Sequence, residues 1–173
     1  MKPHEEHRAH AHEKLRVRVV TVSSSRYAKK AAGEKFDDVG GDTAEAGILA
    51  AGHSVASRSL ISDDARMIRR EVRAFLGSHD DLLLLTGGTG VSSRDITVET
   101  VRPFFQKELD GFGELFRRLS YDEVGMAAIL SRATLGVAKG KLIMCLPGSP
   151  GAVKTALKAT AGELSHIAHI AKS

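Results

Sequence analysis

The chain has 173 residues, about the length of one ordinary domain. Hydrophobic residues make up 42% of it and charged residues 27%, with 17 Gly and 4 Pro. This composition is typical of a soluble globular protein with a substantial core, and it excludes a wholly disordered chain. The 25 Lys and Arg exceed the 21 Asp and Glu by only four, and neither a basic block nor an aromatic strip accompanies them. The composition therefore argues against a nucleic-acid partner.

The cysteine content and the hydropathy pattern bear on the compartment. Cys145 is the single cysteine, so it cannot form an internal disulfide, which favours a reducing environment. The longest apolar runs, Leu82 to Leu85 and Leu142 to Leu146, are far shorter than the roughly 20 residues of a membrane span. The N-terminus is polar and lacks the pattern of a signal peptide. We therefore expect a cytoplasmic protein without a membrane partner.

The N-terminal segment differs in composition from the remainder. Residues 1–14 carry several histidines among charges and offer no apolar side chain that a core could use. We predict that residues 1–14 form a flexible, His-rich tail and that residues 15–173 form a single domain. His7 and His10 could share a helix face and capture a metal, but such a tail supplies no rigid surroundings for a catalytic metal site.

From Leu15 onward the chain alternates strand-like and helix-like segments, which predicts an α/β protein with a largely parallel sheet. The predicted strands are Val17–Val22, His53–Ile61, Asp81–Thr86 and a hairpin of 134–138 with 142–146. Four consecutive leucines mark the third of these as a central strand that is buried on both faces.

The predicted helices follow the apolar spacing and the capping residues. They are Thr43–Ala51, a helix capped by Asp63 or Asp64 that ends near Gly77, a stretch interrupted at Pro103 that resumes over 104–109, the segment 120–132, and a closing helix with Val153, Leu157, Leu164 and Ile167. Residues 23–42 are predicted to form a loop.

A glycine-rich turn directly after the leucine strand is the strongest functional signal. The segment 82–95 reads LLLLTGGTGVSSRD. Its glycines permit positive φ and close approach to a ligand, and its threonines add hydroxyl donors to the backbone N–H groups. The turn also lies where α/β sheets bind their ligands, which favours a phosphate or another anion. It matches neither a Walker A loop nor a dinucleotide fingerprint, and a tight turn that needs glycine for its geometry is the alternative.

A second loop of small residues follows the last strand of the hairpin. Pro147, Gly148, Ser149 and Pro150 join this strand to the closing helix, so their amides and hydroxyl could face the same crevice. The alternative is that Ser149 only caps the helix, with Pro150 in its first turn.

Three aspartates each lie in a loop after a predicted strand. Asp38, Asp63 and Asp95 could converge at the ligand-bearing edge, an arrangement that suits Mg²⁺ bound by carboxylates and phosphate oxygens. For each aspartate taken alone, an N-cap role is the alternative.

Five motifs in this order carry a family resemblance. They are TGGTG at 86–90, SRD at 93–95 with Thr97 after it, GFGELFR at 111–117, AILSRA at 128–133 and LPGSP at 146–150. The chain resembles the MoaB/MogA family of molybdenum cofactor biosynthesis from about residue 16 to 164, is closer to its MoaB branch, and is similar to the G domain of gephyrin. The resemblance implies a three-layer α/β/α sandwich with a mostly parallel sheet, assembled as a homotrimer or hexamer.

The resemblance also implies an activity. In this family the terminal phosphate of molybdopterin attacks the α-phosphorus of ATP, which releases pyrophosphate and leaves molybdopterin-AMP, with Mg²⁺ required. The partners implied are molybdopterin, ATP and other proteins of the pathway. Because the substrate supplies the nucleophile, the protein needs only positioning and charge stabilisation. A non-catalytic molybdopterin carrier or scaffold is the alternative of a different class, and a hydrolase acting on another phosphorylated heterocycle is a third.

The resemblance assigns roles to individual residues. Asp63 and Asp95 match the catalytic and Mg²⁺-linked carboxylates; Ser23 and Asp38 match polar positions near the nucleotide or pterin. Thr86, Gly87, Gly88, Thr89 and Gly90 match the loop that holds the pterin phosphate, and Pro147, Gly148, Ser149 and Pro150 match the loop that lines the pterin pocket.

Three positions depart from the family pattern. Ser24 stands where many members have Asp or Asn, Gly40 where a serine is usual, and Asp110 where a proline is usual. The GFGELFR segment could contribute oligomer contacts, or its Phe112 and Phe116 could belong to the local core.

Overall fold

The computed structural model describes residues 14–160 and 162–173, and in these ranges the chain forms one six-stranded sheet. The strand order is β2-β1-β3-β6-β5-β4. Strands β2, β1, β3 and β6 run parallel, whereas β5 is antiparallel to β6 and β4 is antiparallel to β5. The prediction of a mostly parallel sheet is confirmed.

The elements have the following bounds. The strands are β1 (Arg16–Val22), β2 (Ser54–Ile61), β3 (Leu82–Thr86), β4 (Lys107–Glu108), β5 (Thr134–Ala138) and β6 (Lys141–Leu146). The α-helices are α1 (Ser24–Ala31), α2 (Val39–Ala50), α3 (Ala65–Leu76), α4 (Thr97–Val101), α5 (Asp110–Val124), α6 (Pro150–Thr160) and α7 (Leu164–Lys172). Short 3-10 helices follow α4 over Arg102–Phe104 and α5 over Gly125–Leu130.

Helices cover both faces of the sheet, which gives the three layers that the resemblance implied. On one face α2, α5, α6 and α7 enclose the larger core, and on the other α3 and α4 enclose the second. Strand β3 divides them: Leu82 and Leu84 belong to the larger core, Leu83 and Leu85 to the second, and all four are fully buried. Alternation along a strand sends successive side chains to opposite faces, so a run of leucines is what a doubly covered strand requires.

Two of the helices lie in the segment that was predicted to be a loop. Helix α1 has no buried residue, so it lacks the apolar periodicity by which a helix is predicted from sequence. Helix α2 begins at Val39 and not at Thr43, because Asp38 caps it by accepting a hydrogen bond from the Gly41 amide at 3.1 Å. Glycines are poor helix formers, so Gly40 and Gly41 concealed this first turn.

The C-terminal half differs from the prediction in three places. Residues 104–109 contain strand β4 instead of a resumed helix, and α5 begins at Asp110 and ends before Gly125, which has φ of 59°. The predicted closing helix is two helices, α6 and α7. The expectation that Phe112 and Phe116 belong to the local core is confirmed, since both are buried with their rings stacked 6.3 Å apart.

The predictions of an N-terminal tail and of a chain without a membrane span were also compared with the structure. The predicted tail lies outside the described residues except for Lys14. None of the helices in the described ranges combines the length and the apolarity needed to cross a bilayer.

The amino ends of the central strands are held by a buried carboxylate. Asp80 is 5% exposed; its Oδ2 accepts hydrogen bonds from Arg18 Nη2 at 2.9 Å and from the Ser78 hydroxyl at 3.1 Å. Burial acts to raise the pKa of Asp80, but the hydrogen bonds from Arg18 and Ser78 outweigh it and hold the pKa below its ordinary value. The polar groups at the amino ends of these strands therefore stabilise the fold. We look for a ligand site at the carboxyl ends.

Asp80→Asn is expected to lower the free energy of unfolding at neutral pH by about 1.5–3 kcal/mol, because it weakens hydrogen bonds to a charged group. Since the folded-state pKa is depressed, the ionised carboxylate stabilises the fold above its ordinary pKa of 3.8, and this contribution is lost as the pH falls through the lowered value. Urea unfolding of wild type and variant across this range measures both effects. Asp122→Asn, at an exposed position, is the control. A deficit that persists unchanged in strong acid would contradict the assignment.

Candidate active site

The carboxyl ends of the parallel strands surround one large cavity. The loops that follow β1, β2, β3 and β6 all line it, together with α5 and the 3-10 helix after α5, and its volume is about 920 Å³. In the sheet, β1 lies between β2 and β3. The chain therefore passes from β1 to one side of the sheet, and from β2 to the other side. The cavity thus lies at the point where the strand order reverses, where open α/β sheets bind ligands.

The glycine turn after β3 is pressed against the neighbouring strand end. Gly87 has φ of 107°, and a Cβ on it would collide with the Val22 carbonyl oxygen. Its amide donates to the Leu146 carbonyl at 2.9 Å, and its carbonyl accepts from the Thr97 hydroxyl at 2.9 Å. Glycine is therefore required here both by the backbone conformation and by the absence of space.

The same turn presents unpaired amide groups to the cavity. Thr97 takes the carbonyls of Gly87 and Gly88, the latter through its own amide at 2.9 Å. In residues 14–160 and 162–173, the N–H groups of Gly88, Thr89 and Gly90 have no protein acceptor. Consecutive amides without acceptors form an anion-binding concavity. The geometry thus favours the anion interpretation of the glycine turn over a purely structural one.

The loop after β6 completes this anion site. Pro147, Gly148 and Ser149 line the cavity, and Thr86 ties the two loops together because its hydroxyl donates to the Pro147 carbonyl at 3.0 Å. The Ser149 hydroxyl accepts from the Ala152 amide at 3.4 Å, so Ser149 both caps α6 and faces the cavity. The positive end of the α6 dipole is directed at the same place.

Asp63 and Asp95 lie on either side of the glycine turn. A Cβ on Gly88 would be 2.8 Å from Asp63 Oδ1, and a Cβ on Gly90 would be 2.8 Å from Asp95 Oδ2. Both carboxylates line the cavity. The structure thus brings these two predicted residues to one place.

Neither carboxylate caps the helix that follows it in the chain. Asp64, not Asp63, caps α3, accepting from the Arg66 and Met67 amides at 2.8 and 3.0 Å. Asp63 Oδ2 accepts from the amide and the hydroxyl of Ser24 at 2.7 and 2.8 Å. Asp95 Oδ2 accepts from the Ser92 amide at 2.9 Å. Within the described ranges the Oδ1 atom of each aspartate receives no hydrogen bond, so each retains an oxygen for a ligand or cation.

The remaining predicted residues are divided between the cavity and its support. Ser23 lines the cavity and caps α1. Thr86 and Pro150 support the loops without lining the cavity. Asp38 does not line it either: its Oδ2 accepts from the Thr21 hydroxyl at 2.7 Å and from Arg58 Nη2 at 3.1 Å.

The three departures from the family pattern each have a structural role. The Ser24 hydroxyl donates to Asp63 and accepts from its amide, so it fixes a carboxylate that lines the cavity. A Cβ on Gly40 would be 2.7 Å from the Gly148 carbonyl oxygen, so the start of α2 packs directly on the cavity loop. Asp110 is the first residue of α5, where its charge favours the helix dipole.

Several residues at the site were not predicted. Arg26 and Arg94 line the cavity and add positive charge. Arg132 anchors the turn from outside, donating from Nε to the Thr89 carbonyl at 3.1 Å and from Nη2 to the Asp95 carbonyl at 3.3 Å. Its guanidinium also pairs with Glu99, and this hydrogen bond holds the pKa of Glu99 below its ordinary value. Arg94 lies in the SRD motif and Arg132 in AILSRA, which is the signal that could have identified them.

The site offers no protein nucleophile of the cysteine type and no complete metal cage. Burial raises the pKa of Cys145 to about 12, so this thiol is inert. The described ranges hold no group of three or more His, Cys, Asp or Glu placed to bind a metal. The arrangement instead suits a charged ligand that supplies oxygen atoms of its own.

Gly87→Ala is expected to weaken the binding of phosphate-bearing ligands at least tenfold. The added methyl group must displace the turn, and an alanine at this positive φ costs about 1–3 kcal/mol. Gly151→Ala is the matched control: this glycine also lines the cavity, but a Cβ there meets no atom within 4 Å. Calorimetric titration with inorganic phosphate measures both affinities. Equal affinities for the two variants would contradict the anion site.

The chain is similar to known proteins of molybdenum and tungsten cofactor synthesis. Residues 18–166 match a family model described as a probable molybdopterin binding domain. The chain is 42% identical over 154 residues to a probable molybdopterin adenylyltransferase of Methanocaldococcus jannaschii, covering 88% of this chain and 91% of that protein. It is 40% identical to molybdenum cofactor biosynthesis protein B of Bacillus subtilis, covering 94% of each. The structure of the tungsten cofactor synthesizing protein MoaB from Pyrococcus furiosus superposes with a TM-score of 0.82 at 36% identity, covering 93% of this chain and 99% of that one.

Proposed function

Since the chain belongs to the MoaB/MogA family of molybdenum cofactor biosynthesis proteins, we propose that it is a nucleotidyltransferase that adenylylates molybdopterin. The observation that carries this proposal is the placement of Asp63 and Asp95 on either side of a turn whose amides are free to bind an anion. A site of this kind can align two phosphate groups and stabilise the charge that develops between them.

The reaction requires no covalent participation by the protein. An oxygen of the terminal phosphate of molybdopterin forms a bond to the α-phosphorus of ATP, and the bond from that phosphorus to the bridging oxygen of the β-phosphate breaks. Pyrophosphate leaves with this oxygen. Phosphoryl-type transfer is accelerated mainly by alignment and by stabilisation of charge, which the amides of Gly88, Thr89 and Gly90 and the α6 N-terminus can supply.

In this proposal the two substrates contact different parts of the cavity. The glycine turn and the loop of Pro147 to Ser149 bind the phosphate of the pterin in this proposal, and Arg26 and Arg94 supply positive charge toward the triphosphate. Ser23 contributes a hydroxyl on the same side. Asp38 has a supporting role instead, since it orders the start of α2, where Gly40 packs against the loop.

The carboxylates fit Mg²⁺. Oxygen donors are what this ion prefers, and it commonly binds through one or two carboxylates together with substrate phosphates. In the proposal, Asp63 and Asp95 would hold it, since each retains a carboxylate oxygen that no donor of the described residues engages. When bound, Mg²⁺ neutralises phosphate charge.

We also propose that the chain assembles as a homo-oligomer in the cytoplasm, as the resemblance implies. Exposed apolar side chains lie at the end of α5 and in the following 3-10 helix, outside the cavity: Tyr121, Met126 and Ile129. A patch of this kind supports a homo-oligomer, as trimer or hexamer, or contact with other proteins of the pathway. A cytoplasmic location follows from the proposed pathway.

The proposal predicts that Asp63→Asn and Asp95→Asn each reduce pyrophosphate release from Mg-ATP and molybdopterin by at least about a hundredfold, because each removes negative charge where the phosphates and cation meet. Asp64→Asn is the control for Asp63, since asparagine caps a helix as well as aspartate does. Release is measured on purified protein with and without molybdopterin.

The outcomes separate the function classes. Pterin-dependent release that is lost in the Asp63 and Asp95 variants and kept in the Asp64 variant is the expected result. Saturable molybdopterin binding without any pyrophosphate release would contradict the enzyme assignment and indicate a carrier or scaffold.

A further inference from the structure

One wall of the cavity differs in chemistry from the phosphate-binding loops. It is formed by α5 and the 3-10 helix after it, and the apolar side chains of Phe116, Val124, Ala127 and Leu130 line it. A surface of this kind accommodates the face of a flat ring, and the few polar groups within it fix the ring's orientation. We call these residues, with Glu123, the ring wall.

Glu123 is the carboxylate of the ring wall. The other carboxylates that line the cavity, Asp63 and Asp95, lie in the loops beside the glycine turn. Glu123 instead lies on α5, outside those loops. We therefore ask whether Glu123 contacts the ring of the ligand instead of its phosphate.

The Glu123 side chain is held by a neighbouring helix. Its Oε1 accepts a hydrogen bond from the Thr155 hydroxyl at 2.6 Å. Thr155 is 6% exposed on α6, the helix whose first turn carries the loop of Pro147 to Pro150. A buried hydroxyl on a rigid helix is a fixed donor, so the carboxylate is oriented before any ligand arrives.

Glu123 lacks a charge partner in the described part of the chain. No Lys, Arg or His of residues 14–160 and 162–173 lies within ion-pair distance of it, and its hydrogen bond from Thr155 engages only one of its two oxygens. When a ring covers the wall and excludes water, the carboxylate needs N–H donors from the ligand. A ligand without such donors is penalised.

We propose that Glu123 is the specificity-determining residue for the heterocycle, and that it accepts hydrogen bonds from the pyrimidine edge of the pterin. This inference rests on the proposed function. That edge carries a ring N–H and an exocyclic amino group side by side, and a pair of parallel N–H donors matches a carboxylate as a guanidinium does. Thr155 is a positioning residue that acts through Glu123.

The test compares two probes on the full chain. One is 6-hydroxymethylpterin phosphate, and the other is 6-hydroxymethyllumazine phosphate, in which a carbonyl oxygen replaces the 2-amino group. This replacement sets an acceptor against the carboxylate. We expect wild type to prefer the pterin by at least about tenfold in Kd, since an unpaired charged group in a bound complex is costly. Calorimetric titration measures both affinities.

The variants assign the preference to Glu123. In Glu123→Gln the side chain can donate as well as accept, so the ratio of the two affinities should fall toward one while phosphate-dependent binding is kept. Asp122→Asn removes the same charge from the next, exposed residue and should retain the full preference. Thr155→Val removes the orienting hydroxyl and should reduce the preference for the pterin. Thr155→Ser keeps the hydroxyl and should keep that preference.

Each result bears on one inference. A wild-type preference that is unchanged in Glu123→Gln overturns the role of Glu123 and leaves the proposed function intact. Binding of neither probe to the wild type contradicts the pterin site itself, and with it this inference.

Discussion

The close approach of Gly87 to the end of β1 is the constraint on which the site depends. The turn fits between the Val22 carbonyl and the loop that begins at Pro147 only because Gly87 has no side chain and adopts a positive φ. This contact brings the loops after β1, β3 and β6 together around one space. It also directs the Gly87 carbonyl at Thr97, so the following amides are left for a ligand. A single backbone contact thus brings three strand ends to one cavity.

The molecule separates stability from chemistry along the strands. At their amino ends, Asp80 with Arg18 and Ser78 satisfies a buried charge. At their carboxyl ends, amides of the glycine turn and carboxylate oxygens of Asp63 and Asp95 have no protein partner in the described ranges. Unsatisfied polar groups cost stability unless water or a ligand pairs with them. The ends that carry this cost are the ends that face the cavity, while Arg132 braces the turn from outside.

The sequence predicts the frame of the fold because its signals are local. The hydrophobic pattern and the spacing of residues are enough to predict the leucine strand β3, the Asp64-capped helix α3 and the strands of the β5–β6 hairpin. Helix α1, without a buried face, and the glycine-containing start of α2 lack those signals. At the site, strand ends and glycines indicate Asp63, Asp95 and both loops. Arg132 and Glu123 act across long separations in sequence, to Thr89 and Thr155, which no spacing pattern reveals.

Transfer of label from ATP to molybdopterin tests the central claim most directly. The purified protein is incubated with Mg²⁺, molybdopterin and ATP labelled at the α-phosphate, and the products are separated and weighed by mass spectrometry. The account predicts that the label appears on the pterin, in a product heavier than molybdopterin by one adenylyl group, with pyrophosphate in equal amount. Label that remains in ATP, or that appears only as free AMP, would contradict an adenylyl transfer to the pterin.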